Sequence, residues 1–321
     1  VLDHYDSITV GEAPCATVQE AREITHPETG ALSMVFQFEH MDLDSQPGKG
    51  KWALKPLHLP DLKASLSRWQ SSLHGQGWNS LYWNNHDQPR IVSRFGDDTP
   101  AYRERSAKML ATCLHLMQGT PYVYQGEELG MSNVAWPGIE HYQDIETRNM
   151  YRVATQERGQ APEDVLRSIH AKGRDNARTP MQWSASLHGG FTTGQPWLAA
   201  HENHTHINAE AALADPNSVF HHYRQLIALR KQYPVLVHGR YELLLPDHPH
   251  VFAYLRDDGV HRVLVLCNFS GQHQDLSLCD LPDMTGAQWL IGNVPQHEAQ
   301  ANATQLAPWQ VQAWIELHAG D

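Results

Sequence analysis

The sequence is poor in cysteine, short of positive charge and without a long apolar run. Its four cysteines, Cys15, Cys113, Cys267 and Cys279, are scattered with no CxxC pair. That argues against a disulfide scaffold or a zinc ribbon and makes a reducing compartment, the cytoplasm, the expected home. No stretch reaches the roughly 18 apolar residues of a membrane span, so no membrane partner is expected. Lys and Arg total 24 against 36 Asp and Glu, a formal net charge of −12. A nucleic-acid binder would carry a basic field, so nucleic acid is not an expected partner either. The 321 residues are 41% hydrophobic and 19% charged, which excludes disordered and collagen-like classes. There is room for about two domains. The first residue is Val1, with no signal peptide to explain it, so a start within a longer protein is expected.

What is present falls into three textures. The runs Ser7–Val10, Met34–Phe38, Ser80–Trp83 and Pro121–Tyr124 read as short strands. Between them, Leu62, Leu66, Trp69 and Leu73 mark one helical stripe, begun near Pro60-Asp61. Met109, Leu110, Cys113, Leu114 and Met117 mark a second stripe, ended by Gly119. Phe220, Tyr223, Leu226, Ile227 and Arg230 predict a third helix, which stops before Pro234. Strands alternating with helices imply parallel β/α units. Residues 126–217 are polar and rich in Gly and Pro, a long insertion of the kind that usually carries function. After Pro234, short alternating runs with a turn at Asp257-Asp258-Gly259 predict an antiparallel β domain. The expected domains are thus 1–236 and 237–321.

In parallel β/α proteins functional groups gather beyond the C-terminal ends of the strands. Glu12, Glu39 with His40, His86 with Asp87, and Glu127 with Glu128 all follow strand-like runs. Such carboxylates suit glycoside hydrolysis, and they would equally suit a hard cation; spacing alone does not choose. The ten tryptophans lean toward sugar, whose rings pack on flat aromatic faces, although most tryptophans serve as core or surface anchors. His201, His204 and His206 in HENHTH raise a metal reading, but the loop lacks a ligand pattern beyond Glu202, and no metal or cofactor is expected.

Five strings carry a family resemblance: TVGEAP (Thr9–Pro14), FQFEHMDLD (Phe36–Asp44), WNNHDQPRIVSRFGDD (Trp83–Asp98), GTPYVYQGEELGM (Gly119–Met131) and GRDNARTPMQW (Gly173–Trp183). They resemble the α-amylase superfamily of retaining glycoside hydrolases, family 13, and within it the oligo-1,6-glucosidase and α-glucosidase branch. The resemblance implies Glu12 as general acid/base, which needs burial or a neighbouring carboxylate to hold its proton. It implies Asp87 as stabiliser of the oxocarbenium-like transition state and His86 as a sugar ligand. It implies that Arg174 holds Asp87 and a substrate hydroxyl, with Arg178 close enough to be confused with it. Glu39 would lie on the leaving-group side of the pocket. The implied substrate is an α-glucoside oligosaccharide. Trehalose-6-phosphate hydrolases are similar but tend to carry FNFHH, WCNHD and SRDNSRTP where this chain has FQFEH, WNNHD and GRDNARTP, and Glu39 would repel a phosphate. Sucrose isomerases also resemble the chain but differ after Asp-Gln-Pro-Arg. A non-catalytic relative acting as an interaction domain would not need Glu12, His86 and Asp87, which are all present.

The family's nucleophile is an Asp in a GFRxDV-like string, and no such string occurs here. The resemblance therefore implies an α/β fold comprising strands five to eight of a TIM (β/α)8 barrel, followed by a C-terminal antiparallel β-sandwich. It also implies an inactive chain whose open barrel edges meet the missing N-terminal half or a second copy.

Overall fold

The computed structural model describes residues 4–295 and 304–317. In chain order the elements begin with β1 (Val10–Glu12), α1 (Val18–Ile24), β2 (Met34–Phe36), α2 (Leu59–Leu73), β3 (Ser80–Leu81), α3 (Ile91–Arg94), α4 (Arg103–His115) and β4 (Thr120–Pro121). The insertion carries α5 (Ile145–Arg152), α6 (Pro162–Lys172), α7 (Asp175–Arg178) and α8 (Ala209–Ala214). It leads into α9 (Val219–Gln232) and α10 (Val235–His238). The C-terminal part holds β5 (Arg240–Leu244), β6 (Val251–Asp257), β7 (His261–Asn268), β8 (Gln274–Asp275), β9 (Gln288–Gly292), β10 (Gln305–Leu306) and β11 (Val311–Leu317). Among the described residues no helix is long and apolar enough to cross a membrane.

The four N-terminal strands are shorter than their apolar runs. β1 pairs with β2 and β3 with β4, both in parallel, and one bridge from Val35 to Asn79 joins the two pairs. The expected arc of four consecutive barrel strands is therefore corrected to two two-stranded sheets. The physical reason lies in side chains that take over the ladder. Just beyond β3, the Tyr82 carbonyl meets His40 Nε2 at 3.1 Å, and the Tyr82 hydroxyl donates to the Gln37 carbonyl at 2.8 Å. Gly119 lets β4 approach: its φ is 135°, and a Cβ there would stand 2.6 Å from the Asn79 carbonyl oxygen that Thr120 N–H bonds.

The expected β-sandwich is corrected too. The C-terminal part is one five-stranded sheet, order β5-β6-β7-β11-β9, with a separate β8–β10 ribbon. Strand alternation sends Phe252, Tyr254, Val263, Val265 and Ala313 into a core shared with Leu62 and Leu66 of α2 and with Met109 and Cys113 of α4. The opposite set, Ala253, Leu255, Leu264, Leu266 and Trp314, packs against Leu276, Met284 and Leu306. Helices thus cover one face and a ribbon with its loops covers the other, so no second full sheet is needed.

The α2 and α4 stripes are buried as their spacing requires. In α9 the buried face is Val219, Tyr223, Leu226 and Leu229, whereas Ile227 faces solvent. Buried Lys63 and Arg256 join the helical part to the sheet, and Arg230 ties elements together within the helical part. Lys63 Nζ donates to the carbonyls of Leu245, His248 and Val251 at 2.6, 2.7 and 3.1 Å. Arg230 reaches the carbonyls of His115 and Met117 at 2.7 Å and of Gly119 at 2.6 Å, closing the open end of α4. Arg256 reaches those of Leu116, Leu236 and Gly239 at 2.7, 3.0 and 2.6 Å. Burial lowers the pKa of Lys63 to about 8 and that of each arginine to about 10.

Candidate active site

The loop after β3 presents its chemistry through two asparagines. Asn84 Oδ1 accepts from Ile91 N–H at 2.6 Å and fixes the start of α3. Asn85 Oδ1 accepts from Asp87 N–H at 2.8 Å, a tight local turn that leaves His86 exposed and Asp87 half-buried. His86 Nε2 lies 3.9 Å from Asp87 Oδ2.

Two arginines from the insertion meet Asp87. Arg174 caps the single turn of α7 and Arg178 ends it, and their spacing of four puts them on one face. Arg178 Nη2 lies 2.5 Å from Asp87 Oδ1, and its Nε donates to the His86 carbonyl at 2.8 Å. Arg174 Nη1 lies farther off, 3.5 Å from Asp87 Oδ1. Arg178 therefore makes the tighter contact with Asp87, and Arg174 stands beside it.

Behind both arginines is Asp144, a carboxylate that sequence reasoning missed. Its side chain is 1% exposed, and its Oδ1 takes Arg174 Nη2 at 2.7 Å, Arg174 Nε at 3.0 Å and Arg178 Nη1 at 3.4 Å. Burial pushes the Asp144 carboxyl up, but hydrogen bonds from Arg174 and Thr147 and the Arg174 charge together hold it below the usual range. The hydrogen bond to Asp144 likewise raises the pKa of Arg174. Glu146 Oε2 stands 3.3 Å from Arg174 Nε and accepts from Lys51 Nζ at 2.5 Å. A signal for Asp144 was present in the sequence: Asp-Ile-Glu-Thr is an N-cap followed three residues later by its Thr partner.

A second ionic knot braces this loop from below. Asp44 receives Arg94 through two bonds, Nε to Oδ2 at 2.8 Å and Nη2 to Oδ1 at 2.7 Å, and also contacts Lys172 of α6. Arg94 Nη1 reaches Gln88 Oε1 at 2.8 Å, one residue from Asp87. Burial lowers the Lys172 pKa to about 8 despite Asp44.

The other sequence-predicted residues sit on the same rim with different surroundings. Glu12 ends β1, in register with Phe36, and is exposed, so the burial expected around it is not there. Glu39 is tied to α2, accepting from Trp69 Nε1 at 2.8 Å and pairing with Arg68. His40 is buried; Gln37 Nε2 lies 2.8 Å from its Nδ1, and burial lowers its pKa to about 4, so it is neutral at pH 7. Glu127 is buried and accepts from Tyr223 at 2.6 Å and Asn84 at 2.8 Å, with burial raising its pKa to about 7. Trp69 and Trp83 are core, while Trp183 and Trp197 are exposed. His201 and His204 make local hydrogen bonds with Asn133 and with the His201 carbonyl. Among the described residues no group of three or more His, Cys, Asp or Glu could hold a metal ion.

Comparison with known proteins places this chain in a family. The alpha-amylase catalytic-domain model matches residues 1–239, and the maltogenic-amylase C-terminal-domain model matches residues 241–312. An oligo-1,6-glucosidase of Halalkalibacterium halodurans is 54% identical over 316 residues, 98% of this chain and 56% of the relative. A trehalose-6-phosphate hydrolase of Bacillus subtilis is 49% identical over 313 residues, 97% of this chain and 55% of the relative. The crystal structure of Bacillus licheniformis trehalose-6-phosphate hydrolase superposes with a TM-score of 0.93 at 44% identity, covering 98% of this chain and 57% of that one. The chain thus spans a little over half the length of these relatives. These matches also correct the expected half barrel and sandwich to an α-amylase catalytic domain followed by a maltogenic-amylase C-terminal domain. The chain belongs to the α-amylase family of glycoside hydrolases, family 13, in its oligo-1,6-glucosidase branch.

Proposed function

We propose that this chain supplies the acid and the stabiliser for retaining hydrolysis of α-glucosides, with terminal α-1,6 bonds of isomalto-oligosaccharides as the main substrate. The observation that carries the reading is Asp87, an accessible carboxylate steadied by Arg178 and Arg174 beside the exposed His86. A carboxylate fixed by two cations can face the positive charge that develops on a sugar ring in the transition state. His86 then serves as a hydrogen-bonding group for the bound glucose, and Arg174 for one of its hydroxyls. Glu12, on the same rim and open to solvent, is the proton donor to the glycosidic oxygen. Glu39, locked to α2, shapes the leaving-group side without touching the bond. The relative named oligo-1,6-glucosidase at 54% identity supports the α-1,6 choice.

A retaining hydrolase also needs a nucleophile about 5–5.5 Å from its acid. The family's string for that residue does not occur in the sequence, so the 321-residue chain by itself is expected to show no turnover. The second reading, trehalose-6-phosphate hydrolysis, rests on the 49% identical relative of that name.

Glucose release from isomaltose, maltose and trehalose-6-phosphate decides between them. It is measured for the chain alone and together with any coding sequence upstream of it, with Glu12→Gln as control. Release from isomaltose ahead of the others, abolished by Glu12→Gln, is the expected result for the active form. Faster release from trehalose-6-phosphate would transfer the assignment to the second reading, and hydrolysis of none would overturn both. Turnover by the chain alone would show that another carboxylate replaces the missing Asp.

A further inference from the structure

Asp144 uses its two oxygens for different purposes. Oδ2 accepts from Thr147 N–H at 3.0 Å and Thr147 Oγ1 at 2.8 Å, capping α5. Oδ1 faces Arg174 and Arg178 and shares both with Asp87. Its own backbone is pinned, because Asp175 Oδ2 accepts from Gln143 N–H at 2.7 Å and from Asp144 N–H at 3.0 Å. The carboxylate is thus buried, hydrogen-bonded through both oxygens and placed opposite Asp87 across two guanidiniums.

We propose that Asp144 is a positioning residue: the fixed anchor that holds Arg174 and Arg178 at the distance from which they steady Asp87 and leave it free to face the substrate. The proposal rests on the reading of Asp87 as the charge-stabilising group. Two guanidiniums beside one accessible carboxylate would otherwise close on it as bidentate pairs, since that is the stronger geometry for each. Asp144 takes other nitrogens of the same guanidiniums from a buried position, where the contact is screened less than at the half-buried Asp87. Arg174 accordingly sits 2.7 Å from Asp144 and 3.5 Å from Asp87. Arg178 takes the reverse division, 3.4 Å from Asp144 and 2.5 Å from Asp87. Each arginine leans to one carboxylate and touches the other. Glu146 and Lys51 extend the line on the Arg174 side, so the loop carrying Lys51 is joined to the site through Arg174.

Substitution can separate the two duties of Asp144. Asp144→Asn keeps a cap, because asparagine caps helices about as well as aspartate, but turns an amide N–H2 toward the arginines. Thr147→Val removes one partner of the cap and leaves the arginines alone. The readout is the hydrogen exchange of the Arg174 and Arg178 side-chain Nε–H groups in the chain itself, by 15N NMR, assigned with Arg174→Lys and Arg178→Lys. Asp144→Asn is expected to speed exchange at Arg174 Nε–H at least tenfold, and Thr147→Val to leave it unchanged. Asp144→Glu is expected to restore part of the protection. Unchanged exchange in a folded Asp144→Asn protein would overturn the proposal, and so would equal loss in Thr147→Val, which would reduce Asp144 to a helix cap. If Asp144→Asn fails to fold, Asp144→Glu alone still decides, since a longer carboxylate must shift the Arg174 resonance if the contact exists. None of these readings uses turnover, so the anchor and the glucosidase assignment fail separately.

Discussion

Arginine is held in two different ways in this molecule. At the joint between the helical part and the C-terminal sheet, Arg256 and Lys63 are buried among backbone carbonyls. At the candidate site, Arg174 and Arg178 are half-exposed among carboxylates. A carbonyl does not titrate or move independently of its chain, so the joint fixes one geometry. At the site, each arginine is instead divided between two carboxylates. Position is bought at the joint by desolvating a cation, whereas the site retains a charge that a substrate can use.

The sharpest way to break this contrast is Arg256→Met. It leaves the carbonyls of Leu116 and Gly239 without that donor, while Leu236 keeps Arg230 Nη1 at 3.4 Å. The expected loss is about 3 kcal/mol or more in urea unfolding, from unpaired buried acceptors at roughly 1–3 kcal/mol each. A loss below about 1 kcal/mol would mean that water replaces the guanidinium easily. Arg178→Lys at the site is expected to change stability by less than about 1 kcal/mol, as for other half-exposed ion pairs, while weakening isomaltose binding by the active form.

Acid comes next in size. His40, His115 and His222 are buried and neutral, with burial as the main cause of pKa values near 4, 3 and 3. Each binds a proton more readily when unfolded, so stability is expected to fall as pH drops from about 6.5 toward 4. Glu127 acts in the opposite sense: its raised pKa of about 7 means that folding favours its proton, a contribution lost as pH rises through 7. Unfolding midpoints measured from pH 7 to 5 should therefore fall less steeply for His222→Gln and more steeply for Glu127→Gln. Parallel curves for all three proteins would count against this ledger.

A second pH effect lies on the alkaline side. Lys63 and Lys172 both have pKa values lowered to about 8 by burial. The unfolded chain holds those protons longer, so stability is expected to rise between pH 8 and about 10. The rise should halve in Lys172→Met, and an unchanged rise would assign it to other groups.

The sequence made the motifs legible because they lie in runs. Asn84 to Arg90 form one loop and Arg174 to Arg178 one turn, so His86, Asp87 and the arginines meet as their strings imply. The α2 stripe was equally readable, since that helix buries a single face, whereas the α4 stripe lies in a helix buried on every side from Met109 to His115. Asp144 was not, because an N-cap looks the same whether or not its second oxygen holds a distant arginine. The exposure of Glu12 was not readable either, because a strand end says nothing of what covers it. The shortness of β3 depends on His40 and Tyr82 bonding backbone across 42 positions of sequence, which no local pattern records. The buried face of α9 was misjudged at Ile227 because two apolar rows compete there, and packing against α4 and its other neighbours chooses between them.

The carbonyl-held joint has a consequence for inheritance. Every residue presents a carbonyl, whatever its side chain. Lys63 grips Leu245, His248 and Val251 without reading what they are. Mutations in that turn can accumulate without loosening the grip, provided the backbone keeps its path. The burden of memory falls on the cation alone. A C-terminal domain from a distant relative should dock on this helical part if it carries an arginine at the place of Arg256 and the same turn before β6.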